Sequence, residues 1–333
     1  MHEILLGKSV EEIKSLLAGL TEKIPSYMAG QIAQWIYKKH AVSFDEMTNI
    51  SVANREILKE NFSLGLVAPS VSRLSKDGTE KFLFDNVETV LIPSKDRLTL
   101  CISSQAGCKM NCTFCATGKM GFSRQLSVAE ILNQYAFLAR DNNITNIVFM
   151  GMGEPLDNIF AVMEAIRALT AEWGFALSPR RITVSTIGML PALCRLIEDT
   201  ECHIAISLHN AFHTQRLALM PVEKTFNIEE IVELLKNYDW AHQRKLSFEY
   251  IMLGGLNDSL LHAKTLWKMV RDLPCHINLI PYNANGTDDF VRSSNSAVEA
   301  FCNFLTEKGV SCTVRSSRGE DIEAACGLLA TTH

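Results

Sequence analysis

Apolar positions recur at helical spacing over the first 65 residues and at strand spacing after them. Between Val10 and Leu20, the residues Ile13, Leu16, Leu17 and Leu20 share one helical face. A second helix is predicted over Tyr27 to His40, with Ile32, Trp35 and Ile36 on its apolar side. Lys38-Lys39-His40 closes it, where positive charge suits the helix dipole. A helical turn at Ser43 to Met47 and a helix over Val52 to Asn61 complete a small helical unit. Such a unit can touch a nucleic-acid backbone through its basic ends, or simply cap a larger domain.

From residue 66 the period changes. Val67, Pro69 and Val71 share one side of an extended run, which Arg73 and Leu74 interrupt. Asp77-Gly78 is a hairpin turn signal, followed by predicted strands Lys81 to Phe84, Val87 to Ile92 and Leu98 to Ile102. Glu88 lies inside an apolar strand, and the pattern alone allows its side chain a solvated face.

Beyond Ser127 helix and strand alternate. Ser127 with Glu130 is a capping box opening a helix to about Arg140. Strands are predicted at Ile144–Met150, Arg181–Thr186, His203–Leu208, Leu246–Leu253, His276–Ile280 and Ser311–Val314. Helices are predicted at Ile159–Trp173, Leu190–Glu198, Ile228–Tyr238, Leu260–Arg271 and Ala297–Glu307. Repeated strand-then-helix units imply parallel strands with right-handed crossovers. Polar residues and glycines sit at or just past many strand ends, among them Gly151, Gly153, Glu154, Ser185, Ser207, His209 and Asn283. A barrel gathers all such ends at one mouth, whereas a doubly wound sheet uses only those at its switch point. The predicted fold class is therefore α/β: a partial (β/α)6 barrel, with a small N-terminal helical domain and a C-terminal extension. The expected divisions are 1–65 for the helical accessory unit, 66–100 for a β-hairpin linker, and 101–333 for the barrel with its C-terminal cysteine segment.

Composition narrows the class. A chain of 333 residues holds one large α/β domain and a small one, and 47% apolar residues allow a sizeable core. The net charge of −5 gives no bulk sign of nucleic acid, so an RNA surface has to be locally basic. There is no basic-then-apolar leader and no apolar run of bilayer length. Ten cysteines without a leader fit a reducing cytosol, where thiols more often serve metal or catalysis than a disulfide framework.

The candidate chemistry lies in Ser103 to Cys115, which carries C-x-x-x-C-x-x-C at Cys108, Cys112 and Cys115. Three clustered thiolates can hold three corners of an iron–sulfur cube. The fourth iron is then open to chelate the amino and carboxylate groups of S-adenosylmethionine (SAM) and to break a C–S bond by one-electron transfer. A structural zinc site needs a fourth ligand. A ferredoxin loop uses two-residue gaps and a fourth cysteine before proline. Three unrelated buried thiols remain a further reading.

Met150 to Pro155 follows a strand; its glycines allow close backbone approach, and Glu154 can accept from an ammonium. Ser185, Ser207 and His209 can hold ribose hydroxyls and a carboxylate, and Asn283 can read adenine. Ordinary strand-end hydrogen bonding is the alternative for each alone. Cys101 ends the strand feeding the cysteine loop. Cys326, among glycine and small residues, reads as an accessible thiol or as a buried one in a C-terminal helix. Cys194, Cys202, Cys275, Cys302 and Cys312 read as small buried hydrophobes.

These residues together resemble the RlmN/Cfr family of radical SAM RNA methyltransferases. The resemblance runs nearly end to end, through Asp77-Gly78-Thr79, Val87-Glu88-Thr89-Val90, Cys101 to Gly107 and the cysteine loop. It continues through Gly153-Glu154-Pro155, Ser185-Thr186-Ile187-Gly188, Ser207-Leu208-His209, Pro281-Tyr282-Asn283 and Ala324-Ala325-Cys326-Gly327. It implies a 4Fe-4S cluster on Cys108, Cys112 and Cys115, and SAM held at Gly153, Glu154, Ser185, Ser207, His209 and Asn283. It implies Cys326 as the methyl-carrying cysteine, Cys101 as its disulfide partner and Glu88 as the general base. The implied substrates are an adenosine in the peptidyl-transferase centre of 23S rRNA and the adenosine 3′ to the anticodon in tRNA, methylated at carbon 2. A Cfr-type enzyme modifies carbon 8 instead. Gly153-Glu154-Pro155 and Arg292 to Ser296 resemble the carbon-2 branch, and Ile187 the carbon-8 branch. Leu328 and the loop Asn283 to Arg292 depart from the family's usual form. A cytoplasmic monomer with a flavodoxin-like electron donor completes the expectation; an iron–sulfur electron carrier is the alternative class.

Overall fold

A computed structural model describes residues 2–20, 24–240, 244–284, 286 and 289–330. One ten-stranded sheet runs through it. Its strands are β1 (Val71–Leu74), β2 (Glu80–Phe84), β3 (Val87–Ser94), β4 (Arg97–Cys101), β5 (Asn146–Phe149), β6 (Ile182–Thr186), β7 (His203–Ser207), β8 (Leu246–Met252), β9 (Cys275–Pro281) and β10 (Ser311–Val314). They lie side by side in strict chain order. β1 to β4 form an antiparallel meander, and β4 to β10 are parallel throughout. A sheet whose order never reverses sends every crossover helix to the same face and curls toward a barrel. β10 is an edge strand, so the barrel is open on that side.

Helices Val128–Leu138, Ile159–Thr170, Ala192–Asp199, Ile228–Leu235, Leu260–Val270 and Asn295–Glu307 cover the outer face. They bury Ile131, Leu132, Val162, Leu169, Leu196, Ile231, Leu235, Leu266 and Phe301 against it. Each such side chain contributes about 1.5–3 kcal/mol on leaving water. The capping box is present: Ser127 Oγ accepts from Glu130 N at 3.3 Å, and the Glu130 carboxylate accepts from Ser127 N at 2.8 Å.

The N-terminal helices are Val10–Ala18, Met28–Tyr37 and Val52–Asn61. Their apolar residues Ile13, Ile32, Ile36 and Leu58 belong to the same core as the barrel helices. Tyr37 meets Trp173 and Phe175 edge-on at 5.4 and 5.1 Å. The basic end is weaker than its sequence suggests. Burial beside Phe175, aided by the charge of Arg140, lowers His40's affinity for a proton, and Lys39 lies over the Trp35 ring at 3.7 Å.

Three expectations change. The run from Val67 is not a strand until Val71, and Arg73 and Leu74 belong to it. Val67 N donates to Asn133 Oδ1 at 3.0 Å, and its carbonyl accepts from Asn133 Nδ2 at 2.9 Å. A helix side chain thus takes the groups a strand ladder would use. Glu88 does not face solvent: it is 1% exposed on β3 and paired with Lys81. Cys326 is not in a helix; it follows a short helical turn at Glu320–Ile322. In the loop Asn283 to Arg292, Asn285, Thr287 and Asp288 lie outside the described residues. Among the described residues no helix is long and apolar enough to cross a membrane.

Candidate active site

β4 delivers the chain to the barrel mouth. Gln105–Gly107 then pairs antiparallel with Phe122–Gln125, and the cysteine loop and the helix Ala116–Met120 fill the span between them. The ribbon pins both ends of the loop. Gly107 has φ +77, and a Cβ there would collide with the Gly121 carbonyl oxygen, so only glycine closes the ribbon. Thr113 N donates to Leu219 O at 2.9 Å and Ala116 N to Gly327 O at 2.8 Å, tying the loop to the barrel and to the C-terminal segment.

Cys108, Cys112 and Cys115 line one cleft with Gly153, Glu154, Ser185, Ser207, His209 and Cys326. Among the described residues no three His, Cys, Asp or Glu side chains converge tightly enough for a single metal ion. The three thiols instead border an open cleft. Burial pushes the Cys108 thiol up to about 12 and raises Cys112 well above its usual value, so loading iron there releases protons. The donor set, three thiols facing an open cleft, fits a cube with one vertex left for a ligand.

The wall opposite the thiols is built by strand ends. The Glu154 carboxylate accepts from Thr186 Oγ1 at 2.5 Å, Ile187 N at 3.0 Å and Leu156 N at 3.0 Å. Burial nevertheless raises it to about 7. Most of its acceptor capacity is spent inside the protein, so an ammonium finds one remaining lone pair rather than a free carboxylate. His209 holds φ +59 and meets Phe114 edge-on at 4.9 Å. Its Nδ1 accepts from Ile251 N at 3.1 Å. Burial, then the charge of Arg216, lowers its proton affinity to about 3, so the ring is neutral. That bond assigns the proton to Nε2, a donor for a ligand oxygen.

Two residues missed by sequence reading support this wall. Arg216 is fully buried; Nε donates to Leu208 O and Nη2 to Ser207 O, both at 2.9 Å, and Nη1 pairs with Glu223. It grips the backbone of two consecutive residues at the end of β7. Glu249, 2% exposed, lines the cleft; its Oε1 accepts from Asn278 Nδ2 at 2.8 Å and Ser247 Oγ at 3.1 Å, while Oε2 has no hydrogen-bond partner. Its inward position was legible in the alternation Ser247, Glu249, Ile251 along β8. Arg216 carried no such signal.

A second hollow adjoins the first and is lined by Cys101, Asn283, Arg315 and Cys326. Cys326 and Arg315 stand on the wall common to both. Cys326 keeps solvent contact from within this wall. The crowding protein raises its thiol, and the Arg315 guanidinium acts the other way. Burial raises Cys101 further, with the neighbouring Cys326 adding to it. Asn283 lies in the second hollow, accepting from Ser317 Oγ at 2.7 Å, rather than beside Ser185 and Ser207. Glu88 lines neither hollow. Val90 pairs with Cys101 across β3 and β4, and the Glu88 carbonyl accepts from Ser103 Oγ at 2.6 Å.

Two family profiles match the chain: the radical SAM superfamily over residues 102–264, and the ribosomal RNA large subunit methyltransferase N-terminal domain over residues 4–64. The chain is 50% identical over 332 residues to the probable dual-specificity RNA methyltransferase RlmN of Parabacteroides distasonis, covering 98% of this chain and 96% of the relative. It is 41% identical to the dual-specificity RNA methyltransferase RlmN of Desulfotalea psychrophila, covering 99% and 98%. A crystal structure of a radical SAM methyltransferase from Sphaerobacter thermophilus superposes with a TM-score of 0.92 at 37% identity, over 98% of both chains. Streptococcus suis SuiB bound to its precursor peptide, at 13% identity and a TM-score of 0.53 over 69% of this chain and 55% of its own, shares the fold alone. The chain belongs to the RlmN family of the radical SAM superfamily.

Proposed function

We propose that this chain methylates carbon 2 of an adenosine in 23S rRNA and in tRNA, through an S-methylcysteine on Cys326. The observation that carries the reading is the position of Cys326 on the wall between two hollows. One holds the three cluster cysteines; the other holds Cys101. A thiol placed there can meet a nucleoside on one side and a second thiol on the other.

The family's cofactors are a 4Fe-4S cluster and SAM, and when bound they supply a 5′-deoxyadenosyl radical. The chain's own residues do the rest. Cys108, Cys112 and Cys115 would hold three of the four irons. Ser185, Ser207, His209 and Gly153 would position the SAM ribose and its amino-acid end, with His209 Nε2–H as a fixed donor. Glu154 would brace the β6 end through Thr186 and Ile187 and offer its remaining lone pair to the ammonium, and Asn283 would approach the adenine from the second hollow.

Carbon 2 of adenine is electron-poor and does not attack a sulfonium; a thiolate does. Cys326 therefore takes the methyl group of a first SAM, as a thiolate nucleophile that displaces S-adenosylhomocysteine. After its carbon has been joined to the ring, Glu88 accepts the ring proton. Cys101, as its thiolate, then attacks the Cys326 sulfur. The S–C bond breaks with its electron pair on the former methyl carbon, which takes a proton to become the methyl group as the disulfide closes and the RNA is freed. The helical unit at 1–65 is the accessory RNA-contacting part. We place the enzyme in the cytosol, as a monomer served by a flavodoxin-like donor.

Mass spectrometry of 23S rRNA and tRNA from a deletion strain, with and without the gene restored, tests this. The expected result is loss and recovery of 2-methyladenosine in both RNAs. Recovery of 8-methyladenosine would move the chain to the carbon-8 reaction. Full methylation by Cys326→Ala would exclude the thiol route.

A further inference from the structure

The turn between β1 and β2 grips the segment that carries Cys326. Asp321 accepts from Ser75 Oγ at 2.5 Å and from Lys76 N at 3.2 Å. Asp77 accepts from Gly319 N at 3.0 Å and from Thr79 N at 2.9 Å. A Cβ on Gly319 would lie 2.8 Å from Ala324 Cβ and 3.0 Å from Thr79 Cγ2, so the Thr79 side chain packs directly on the Gly319 backbone. Two residues further on, Lys81 joins this clasp to Glu88. Its Nζ lies 2.9 Å from Glu88 Oε1 and 3.4 Å from the Glu323 carbonyl oxygen. Glu323 holds φ +55, an uncommon conformation for a residue with a side chain, three positions before Cys326. Lys81 is 6% exposed and Glu88 1%.

A buried ion pair is weak evidence for stability, because apolar residues of similar volume often serve as well. What the pair does supply is a carboxylate that remains ionised away from water. A lone buried carboxylate would take its proton from solvent; an ammonium within about 4 Å keeps it charged. We propose that Lys81 is a positioning residue for the late half of the reaction, keeping Glu88 ionised and holding it in register with the Cys326 segment. This rests on the reading of Glu88 as acceptor of the ring proton. In that step the ring C–H bond breaks, its proton passes to a Glu88 oxygen, its electron pair stays in the purine, and the one surplus electron of the radical adduct would return to the cluster. Arg73 of β1 lines the same crevice as Lys81 and Glu88 and brings a second positive charge to it.

The test uses the cluster-loaded full-length enzyme with tRNA. Lys81→Met is expected to hold iron and to accept the methyl group on Cys326, read as a mass gain of the intact protein. It is expected to lose turnover about 10- to 100-fold and to accumulate RNA covalently bound to protein, visible on a denaturing gel. The pH for half-maximal release of that adduct should rise by about one to three units, the size of an opposite-charge effect on a carboxylate. Lys81→Arg should restore release and its pH profile. Lys81→Gln keeps a donor for both partners without the charge, and should show the alkaline shift even if Lys81→Met folds poorly. A pH profile unmoved in Lys81→Gln, or turnover lost without adduct, overturns the proposal. Glu88→Gln separates the two layers of the argument. If it turns over normally, the base assignment itself is wrong; if it accumulates adduct while the Lys81 variants do not, the base stands and Lys81 is only structural.

Discussion

Arg216 and Glu223 form an ion pair from which water is excluded on both sides. The guanidinium spends its other donors on the carbonyls of Ser207 and Leu208, so the pair fixes the backbone that presents Ser207 and His209 to the cleft. Removing one partner leaves an uncompensated buried charge, at a cost of about 3–5 kcal/mol. Arg216→Leu is expected to lower the unfolding free energy by that much, read from urea titrations. It should also weaken SAM binding, measured by calorimetry on the cluster-loaded protein. Arg216→Leu combined with Glu223→Leu should recover a large part of the stability but not the affinity, because the two carbonyls stay ungripped. Equal recovery of both would mean that the pair does not position β7.

His209 gives a second expectation. The ring is held neutral by burial, then by Arg216, and its Nδ1 is occupied by Ile251 N, so the only free ring function is Nε2–H. One neutral hydrogen bond is worth about 0.5–1.5 kcal/mol. His209→Phe should therefore bind SAM up to about tenfold more weakly. The loss should be constant from pH 6 to 8, since no protonation of the ring occurs in that range. A loss confined to the acid side would show a charged imidazole and refute the assignment of the proton.

Glu154 sets a pH dependence of the opposite kind. Burial raises it to about 7 in the folded chain, against about 4.3 when unfolded. The folded state therefore binds this proton more tightly. The stabilisation is complete below about pH 4.3 and is lost as the pH rises to about 7. Glu154→Gln has no such proton to lose. In cluster-free protein the stability difference should move in favour of Glu154→Gln between those pH values, by on the order of 3 kcal/mol. Urea titrations at several pH values measure it, and a flat difference would show that Glu154 titrates normally.

The barrel was legible because its signals are local. Alternating apolar runs, the Ser127–Glu130 box and the glycines past strand ends each depend on a few neighbouring residues. The grouping of Cys108, Cys112 and Cys115 at one cleft is local too, since the three lie within eight positions. Glu88 was ambiguous, because a strand's alternation cannot say which face another element will cover. The answer lies in Lys81, seven residues away and diagonal to it across the β2–β3 pairing only once the meander has formed. Arg216 was invisible for the same reason: its partners are two backbone carbonyls and Glu223, and a basic residue in a short helix normally reads as solvated. Asn283 was read as the adenine contact on one shared mouth with Ser185, Ser207 and His209, and the β9 end directs it to the second hollow.

Gly153 provides a test of how the cysteine loop and the SAM wall are joined. It holds φ +96, and a Cβ there would lie 2.5 Å from Gln105 Cβ. Gln105 accepts from Glu154 N at 2.9 Å and donates to Gln125 Oε1 at 2.9 Å and Asp157 Oδ2 at 2.6 Å. Asp157 in turn pairs with Lys109 of the cysteine loop at 2.8 Å. A methyl group at Gly153 would push on Gln105, and through Asp157 on the loop. Gly309 supplies the control: it has φ +81 with nothing within 4 Å of a built Cβ. Both Gly153→Ala and Gly309→Ala bear the left-handed backbone cost of about 1–2 kcal/mol. Only Gly153→Ala should also lose iron after anaerobic reconstitution, read as the iron-to-protein ratio. If the two variants retained iron equally, Gln105 would not link the loop to the wall, and the glycine would serve its turn alone.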